Sequence, residues 1–452
     1  MSVETAMKYK PYPAYKDSGI EWLGEVPEHW KICALKRLLI EPLMYGANEA
    51  SDDDTPSNPR FVRITDIDTD GKLREDTFRS LPLEVAKPYL LTEGDVLLAR
   101  SGATVGKSFI YKTSWGVCCF AGYLIRARLN LNSMNPDYLY ACCQSSFYWQ
   151  YINSEQIQAT IQNVSAERYG NFVLPLPPIE EQQTIAAFLD RETAKIDTLI
   201  AKQERLIDLL GEKRIALISH AVTKGLNSDA PMKESGVEWL GEVPEHWEVK
   251  PIKRIASSND DVLTEKTPDE YEIDYVDISS VNEVDGIIKT EEMIFKNAPS
   301  RARRLVKDGD VIVSTVRTYL KAIAPIKSPN ENLVVSTGFA VIRPNSSFLP
   351  AFAAYLFKAH YLIELIISRS VGVSYPAINS SDLISLKTAL PSLKEQQTIA
   401  TFLDCETTKI DTLITKARRA IDLLKERRTA LISAAVTGKI DVREVFPSVM
   451  PE

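Results

Sequence analysis

Residues 102–108 read GATVGKS directly after an apolar run, which comes near the glycine loop that cradles nucleotide phosphates. Such a loop needs four residues between its glycines, and only three separate Gly102 from Gly106. The ring of backbone N–H groups depends on that length. The corresponding later segment, STVRTYLKA at 314–322, has no glycine at all. Nucleotide binding is therefore set aside. Asp52-Asp53-Asp54 sits in a stretch rich in Pro, Ser and Asn and reads as a solvated loop rather than a catalytic cluster. His29, His220, His246 and His360 lack metal-ligand spacing, so no metal site is expected. No G-x-G-x-x-G, no N-P-P-[FY] and no P-D…[DE]-x-K set occurs, and no catalytic residue is assigned. Cys33, Cys118, Cys119, Cys142, Cys143 and Cys405 include adjacent pairs but no C-x-x-C, which suits reduced structural thiols.

What remains is charge on loops. From Ala99 to Arg128 there are five basic residues, Arg100, Lys107, Lys112, Arg126 and Arg128, and no acidic one. Residues 296–327 carry Lys296, Arg301, Arg303, Arg304, Lys307, Arg317, Lys321 and Lys327 against only Asp308 and Asp310. Basic and small polar groups on loops fit a DNA surface, where Lys and Arg bind phosphates and Arg, Asn or Gln read base edges. The candidates in the first region are Arg100, Ser101, Thr104 and Lys107. In the second they are Arg301, Arg303, Arg304, Arg317, Thr318, Tyr319 and Lys321. Two further polar loops add Gln162, Asn163 and Ser165, and at the parallel place Ser374, Tyr375 and Asn379. For each such residue the competing reading is a solvated surface.

The elements that hold these loops come twice. KDSGIEWLGEVPEHWKI at 16–32 returns as KESGVEWLGEVPEHWEV at 233–249, and the segment 180–223 returns at 394–437. Trp22 recurs at Trp239, Gly94-Asp95-Val96 at Gly309-Asp310-Val311, and Gln182-Gln183 at Gln396-Gln397, with offsets of 217, 215 and 214. So constant an offset means homologous domains that diverged without large insertions, in a period too long for a solenoid. The repeated WLGEVPEHW reads as a structural lock. FVRITDI (61–67), YVDISSV (275–281), GDVLLA (94–99) and GDVIVS (309–314) read as strands, and 138–152 and 351–367 as buried helices.

Residues 180–221 predict one long helix. Its apolar stripe runs through Leu189, Ile196, Ile200, Ile207, Leu210 and Leu217, and the second copy repeats it at Leu403, Ile410, Ile414, Ile421, Leu424 and Leu431. Ser392 and Glu395 form an S-x-x-E capping box, Pro177-Pro178 precedes the first helix, and Gly225 and Gly438 lie where the helices should stop. About 42 residues make a helix about 63 Å long, which needs a partner to be stable. The other copy's stripe is the expected partner, the alternative being two separate dimerisation helices. The fold expected is α+β: two homologous mixed α/β domains joined by two long helices packed as an antiparallel coiled coil, with pseudo-twofold symmetry. The intervals are 1–178 and 237–392 for the domains, 179–223 and 393–437 for the helices, 224–236 for the linker and 438–452 for the tail.

The chain of 452 residues is 44% hydrophobic and 25% charged, ordinary for a globular protein of two or three domains. A net charge of −8 argues against general stickiness for nucleic acid but leaves local basic faces possible. There is no signal-peptide pattern and no run of about 18–20 apolar residues, so no membrane is expected and cytoplasmic residence is.

The order W-L-G-x-V-P-x-H-W, variable region, L-P-x-P-P-x-x-E-Q-Q-x-I-A-x-F-L-D, then all of it again, resembles the specificity subunit of type I restriction-modification systems. LPLPPIEEQQTIAAFLD (174–190) carries the resemblance most specifically, and ALPSLKEQQTIATFLD (389–404) is a looser copy. The likeness spans essentially the whole chain. It departs at VRTYLKA, whose lack of glycine implies a different loop geometry in the second domain. The resemblance implies that each variable region is a target-recognition domain reading one half of an asymmetric, split site in double-stranded DNA. It implies that the helices space these domains and dock two methyltransferase subunits, with two restriction subunits (ATP-dependent translocase-nucleases) completing the complex. S-adenosylmethionine, ATP and Mg²⁺ would then belong to the partners, with no cofactor on this non-catalytic chain. The rival class is a coiled-coil scaffold that does not read DNA. Divergence concentrated in the basic loops argues against it.

Overall fold

The structure, a computed structural model, describes residues 9–50, 53–68, 73–157, 163–283, 286–372 and 375–443. Two compact units emerge, one of Met1–Gln203 with Arg419–Glu452, the other of Glu204–Arg418. Each contains one repeated domain, the first part of the long helix that follows it, and the last part of the other long helix.

In the first unit the strand Val96–Ala99 lies between Ser108–Ile110 and Leu124–Ala127, with Met44–Tyr45 beyond, all antiparallel. In the second, Val311–Ser314 lies between Ile323–Pro325 and Phe339–Pro344, with Ala256–Ser258 beyond. Both central strands are buried along their whole length, as continuous apolar runs require. The Gly-Asp string before each has a structural purpose. Asp95 accepts the Thr92 N–H at 2.8 Å and grips Arg128 at 2.7 and 2.9 Å. Asp310 repeats this with the Lys307 N–H at 2.8 Å and Arg343 at 2.8 and 2.9 Å. A second sheet differs in extent. It is the parallel pair Arg60–Val62 and Cys118–Phe120 in the first unit, and four strands around Glu272–Val276 and Leu333–Ser336 in the second.

FVRITDI and YVDISSV are only partly strands, since 3-10 turns begin at Ile64 and Ile278. Each region read as one buried helix is two: Pro136–Cys142 with Ser146–Ile157, and Pro350–Phe357 with His360–Ser368. At each break the long helix supplies a cap. Ser433 Oγ accepts the Ser146 N–H and Ser219 Oγ accepts the His360 N–H, both at 2.9 Å. A hydroxyl from a neighbouring element thus satisfies a donor freed at the new helix start.

The long helices run Ile179–Lys224 and Leu393–Val436, and Gly225 and Gly438 follow with left-handed φ of 77° and 71°. They pair antiparallel within each unit. Arg428 reaches Asp197 at 3.0 Å in the first, and the repeat-related pair Arg214–Asp411 closes at 2.9 Å in the second. Leu189, Ile196, Leu210, Leu403, Ile410, Ile421 and Leu431 are buried, and Ile200, Ile207, Leu217, Ile414 and Leu424 are half-buried. The predicted stripe is therefore consumed inside the chain, each copy's stripe covered by the other's as expected. The apolar groups left exposed on these helices include Leu199, Leu206, Leu209, Leu413 and Leu423. Among the described residues no single helix is long and apolar enough to cross a membrane.

The repeated strings at the helix starts are locks. Gln182, fully buried, donates to the carbonyls of Ser133 (3.0 Å) and Pro177 (2.9 Å) and accepts the Asn135 N–H at 2.9 Å. Gln396 does the same to Ser347, Pro391 and Leu349 at 3.0, 2.9 and 2.7 Å. Trp30 and Trp247 are buried, each against the glycine that ends the other copy's helix, Gly438 and Gly225 respectively. Glu181 accepts from Tyr12 (2.6 Å), Trp30 (3.0 Å) and His29 (2.9 Å). Among the described residues the Glu395 carboxylate holds only His246, at 2.9 Å: Asp229 stands where the first copy has Tyr12, and the buried Trp247 indole N–H is left without a partner. The capping box is thus half formed: Ser392 accepts the Glu395 N–H at 3.3 Å while the Glu395 carboxylate turns to His246.

Replacing Gln182 or Gln396 with Ala leaves buried backbone groups without partners. Each change is expected to cost about 2–3 kcal/mol of stability, read as a lower urea midpoint at unchanged slope.

Candidate nucleic-acid interface

The loop after each central strand is built to one plan. Residue 100 accepts a backbone bond from residue 164 (Val164 N to Arg100 O, 2.9 Å), and Ser101 bridges Asn163. In the second unit Ile378 N bonds Thr315 O at 2.9 Å and Val316 bridges Ala377. Two loop groups more than sixty residues apart in sequence are thereby zipped together in each domain.

The glycine-free loop of the second domain was expected to differ, and it does so only slightly, its 3-10 turn lying one place further along. A 3-10 turn spans Gly102–Thr104 in one and Thr318–Leu320 in the other. The left-handed positions coincide too: Gly102 (72°) and Gly106 (85°) are matched by Arg317 (52°) and Lys321 (52°). Side chains at such φ cost about 1–2 kcal/mol each. Space explains where they are tolerated. A Cβ at Gly102 would meet nothing within 4 Å, so Arg317 fits freely at that place. One at Gly106 would come within 2.7 Å of the Trp149 ring, whereas Ile363 occupies the corresponding helix position beside Lys321.

The basic stretches are mostly neutralised. Arg126 is buried against Glu41 (2.6 Å), half-buried Arg128 pairs with Asp95 (2.7 Å), and Lys112 pairs with Asp137 (2.9 Å). Lys296 and Lys307 pair with Asp269 (3.3 Å) and Asp261 (2.7 Å). Arg301 is held by Asp277 at 2.8 Å and the Tyr275 hydroxyl at 3.2 Å. Arg303 covers the Phe295 ring at 4.5 Å. Arg304 buries a guanidinium nitrogen, and desolvation lowers its affinity for a proton. Thr318 is buried and bonded to Ser370 Oγ at 2.8 Å. These four are better explained as parts of the second domain's fold than as DNA contacts. A count along the chain could not see the carboxylates that folding brings from elsewhere.

Other candidates are local fasteners. Thr104 bonds the Ser101 carbonyl at 3.3 Å, and Ser165 caps the helix Ala166–Asn171 through the Arg168 N–H at 3.3 Å. Asn379 begins the matching helix Ser380–Ser385 and remains exposed. Lys321 lies 3.8 Å from Glu283. Gln162 and Ser374 fall outside the described residues. Left facing solvent are Lys107, Arg317, Tyr319 and Tyr375, with Arg100, Ser101 and Asn163 half-buried at the same junctions.

Each junction carries one arginine stacked on a tyrosine: Arg100 over Tyr45 at 4.6 Å, and Arg317 over Tyr375 at 4.7 Å. Tyr45 was missed by sequence reasoning. Nothing near Arg100 in the chain points to it, although it also accepts the Ala166 N–H at 2.9 Å. Burial pushes the Cys118 and Cys119 thiols up to about 12, so both are neutral packing groups. Among the described residues no cluster of His, Cys, Asp or Glu could hold a metal ion.

The profile of the family described as "Type I restriction modification DNA specificity domain" matches residues 61–207 and again 244–421. The chain belongs to this family. The two matches fall on the two halves of the repeat, so the specificity-domain fold occurs twice. Relatives of this specificity subunit include a Methanocaldococcus jannaschii protein assigned as the specificity subunit of the MjaX type I restriction enzyme. It is 26% identical over 440 residues, which cover 93% of the chain and 96% of that relative. The EcoKI specificity subunit of Escherichia coli K12 is 23% identical over 442 residues, covering 92% and 90% of the two chains. A chain from a solved type I restriction-modification assembly aligns with a TM-score of 0.64 at 18% identity, over 91% of the present chain and 98% of that one. At that identity the likeness concerns the fold.

If Lys107 meets a phosphate, Lys107→Gln in the specificity subunit lowers the slope of log affinity against log salt by about 0.9. Lys112→Gln, already paired with Asp137, leaves the slope unchanged. Fluorescence anisotropy with duplex DNA at several salt concentrations checks both.

Proposed function

We propose that this specificity subunit reads an asymmetric, two-part site in double-stranded DNA, each repeated domain taking one half. The observation that carries the proposal is a loop of one backbone plan in both domains with different side chains mounted on it. Arg100 stands at one place on the first loop and Arg317 two places further along on the second. Loops with the same path and different donors read different bases, so the halves of the target differ.

The chain itself performs no catalysis on this reading. Two methyltransferase subunits, and two restriction subunits where a nuclease partner exists, dock onto the conserved helices. The partners supply S-adenosylmethionine, ATP and Mg²⁺ chemistry. Leu199, Leu206, Leu209, Leu413 and Leu423 offer apolar area for docking, since the inner stripe is already occupied. The helices act as the ruler between half-sites.

Mapping methylated positions in cells that express the chain with its cognate methyltransferase is expected to return two unlike half-sites separated by an unread gap. A symmetric or continuous target would overturn the proposal. Adding four residues to a long helix lengthens it by about 6 Å, nearly two base-pair steps. The gap in the methylated sites is expected to grow accordingly.

A further inference from the structure

We infer that Arg317 is the residue through which the second domain selects a guanine in its half-site. The inference rests on the half-site reading above and deepens it to one side chain and one base.

Four non-glycine residues among those described have positive φ, and two of them, Arg317 and Lys321, lie in this one loop. The first domain shows that the same turn is built without strain by glycines. Arg317 therefore occupies a place where glycine would serve the fold better, which points to a use for its side chain. The neighbouring place tells the same story in reverse. Where the first domain puts Arg100, the second has Thr315, buried with its hydroxyl on the Gly338 carbonyl at 2.9 Å. One loop arginine is kept in each domain, moved by two residues.

The guanidinium is free to act. Arg301, Arg303 and Arg343 of the same domain have partners within the fold, whereas no carboxylate or other acceptor among the described residues pairs with Arg317. It lies over the ring of Tyr375, 61% exposed, whose centroid is 4.7 Å from the guanidinium carbon. Stacking on a ring face restricts the guanidinium plane and leaves its in-plane N–H groups directed outward. The backbone adds rigidity, since the Arg317 N–H donates to the Pro376 carbonyl at 2.8 Å and ties the arginine's loop to the tyrosine's. Two parallel donors at the end of a fixed plane match the O6 and N7 acceptors of guanine, a pair that no other base shows in the major groove.

The decisive variant is Arg317→Gly, which the turn accommodates better than the native residue. The full chain, with its methyltransferase subunits, is expected to keep its melting temperature or gain slightly. One guanine in one half-site then becomes degenerate among methylated sites, and the other half-site stays unchanged. Arg317→Lys keeps the charge but not the fork, and is expected to lose the same guanine. Against duplexes carrying 7-deazaguanine at that position, which lacks the N7 acceptor, the native protein is expected to bind about 10- to 100-fold more weakly than to the normal site. The glycine variant should not distinguish the two duplexes. An unaltered methylation pattern in Arg317→Gly, or its restoration by lysine, overturns the inference. A native protein without a two-part target would instead defeat the underlying half-site reading, so the two failures are distinguishable.

Discussion

A 46-residue helix with a single apolar stripe cannot remain ordered in water by itself, and the rest of this molecule follows from how that stripe is covered. The cover comes from the opposite repeat. In the first unit Leu431, Ile432 and Ala434–Val436 from the end of the second helix join Trp30, Tyr138 and Phe188 in one core. In the second, Ile218, Ala221 and Val222 from the end of the first helix join Trp247, Phe352 and Leu403. Neither domain's core is complete without residues from the end of the other copy's long helix. The helix pair is thus an ingredient of both cores as well as a connector.

This explains which strings repeat faithfully. Gln182 and Gln396 fasten helix starts to their own domains, while Trp30 and Trp247 receive helix ends from the other copy. Each of these residues touches backbone or a neighbour that the repeat supplies in duplicate, so a change in one copy breaks a fit. The loops at 100–107 and 315–322 are under a weaker constraint. Their backbones are fixed by bonds to the 163 and 377 segments, but the outward side chains meet little of the fold. Those positions can diverge without cost to the core.

The architecture was largely legible in the sequence because it rests on periodicity and on near-copies. Stripe spacing gave the helices, and Gly225 and Gly438 marked their ends. The interface was less legible. Charge read along the chain placed Arg126, Arg128 and Arg301 on a basic face, yet Glu41, Asp95 and Asp277 reach them from distant segments and cancel them. The glycine-free loop misled for a related reason. Sequence shows that glycine favours a left-handed turn, but not that arginine and lysine adopt one here. Tyr45 was invisible because stacking partners follow no spacing rule.

The two glutamates at the helix starts differ in a way their matching strings conceal. Glu181 gathers a tyrosine, a tryptophan and a histidine, whereas Glu395 holds a histidine alone. Two hydrogen bonds to a charged carboxylate separate them, each worth roughly 1.5–3 kcal/mol net. The molecule is accordingly lopsided under load. Tension applied along the helices meets three side-chain hydrogen bonds at the Glu181 carboxylate and one at the Glu395 carboxylate.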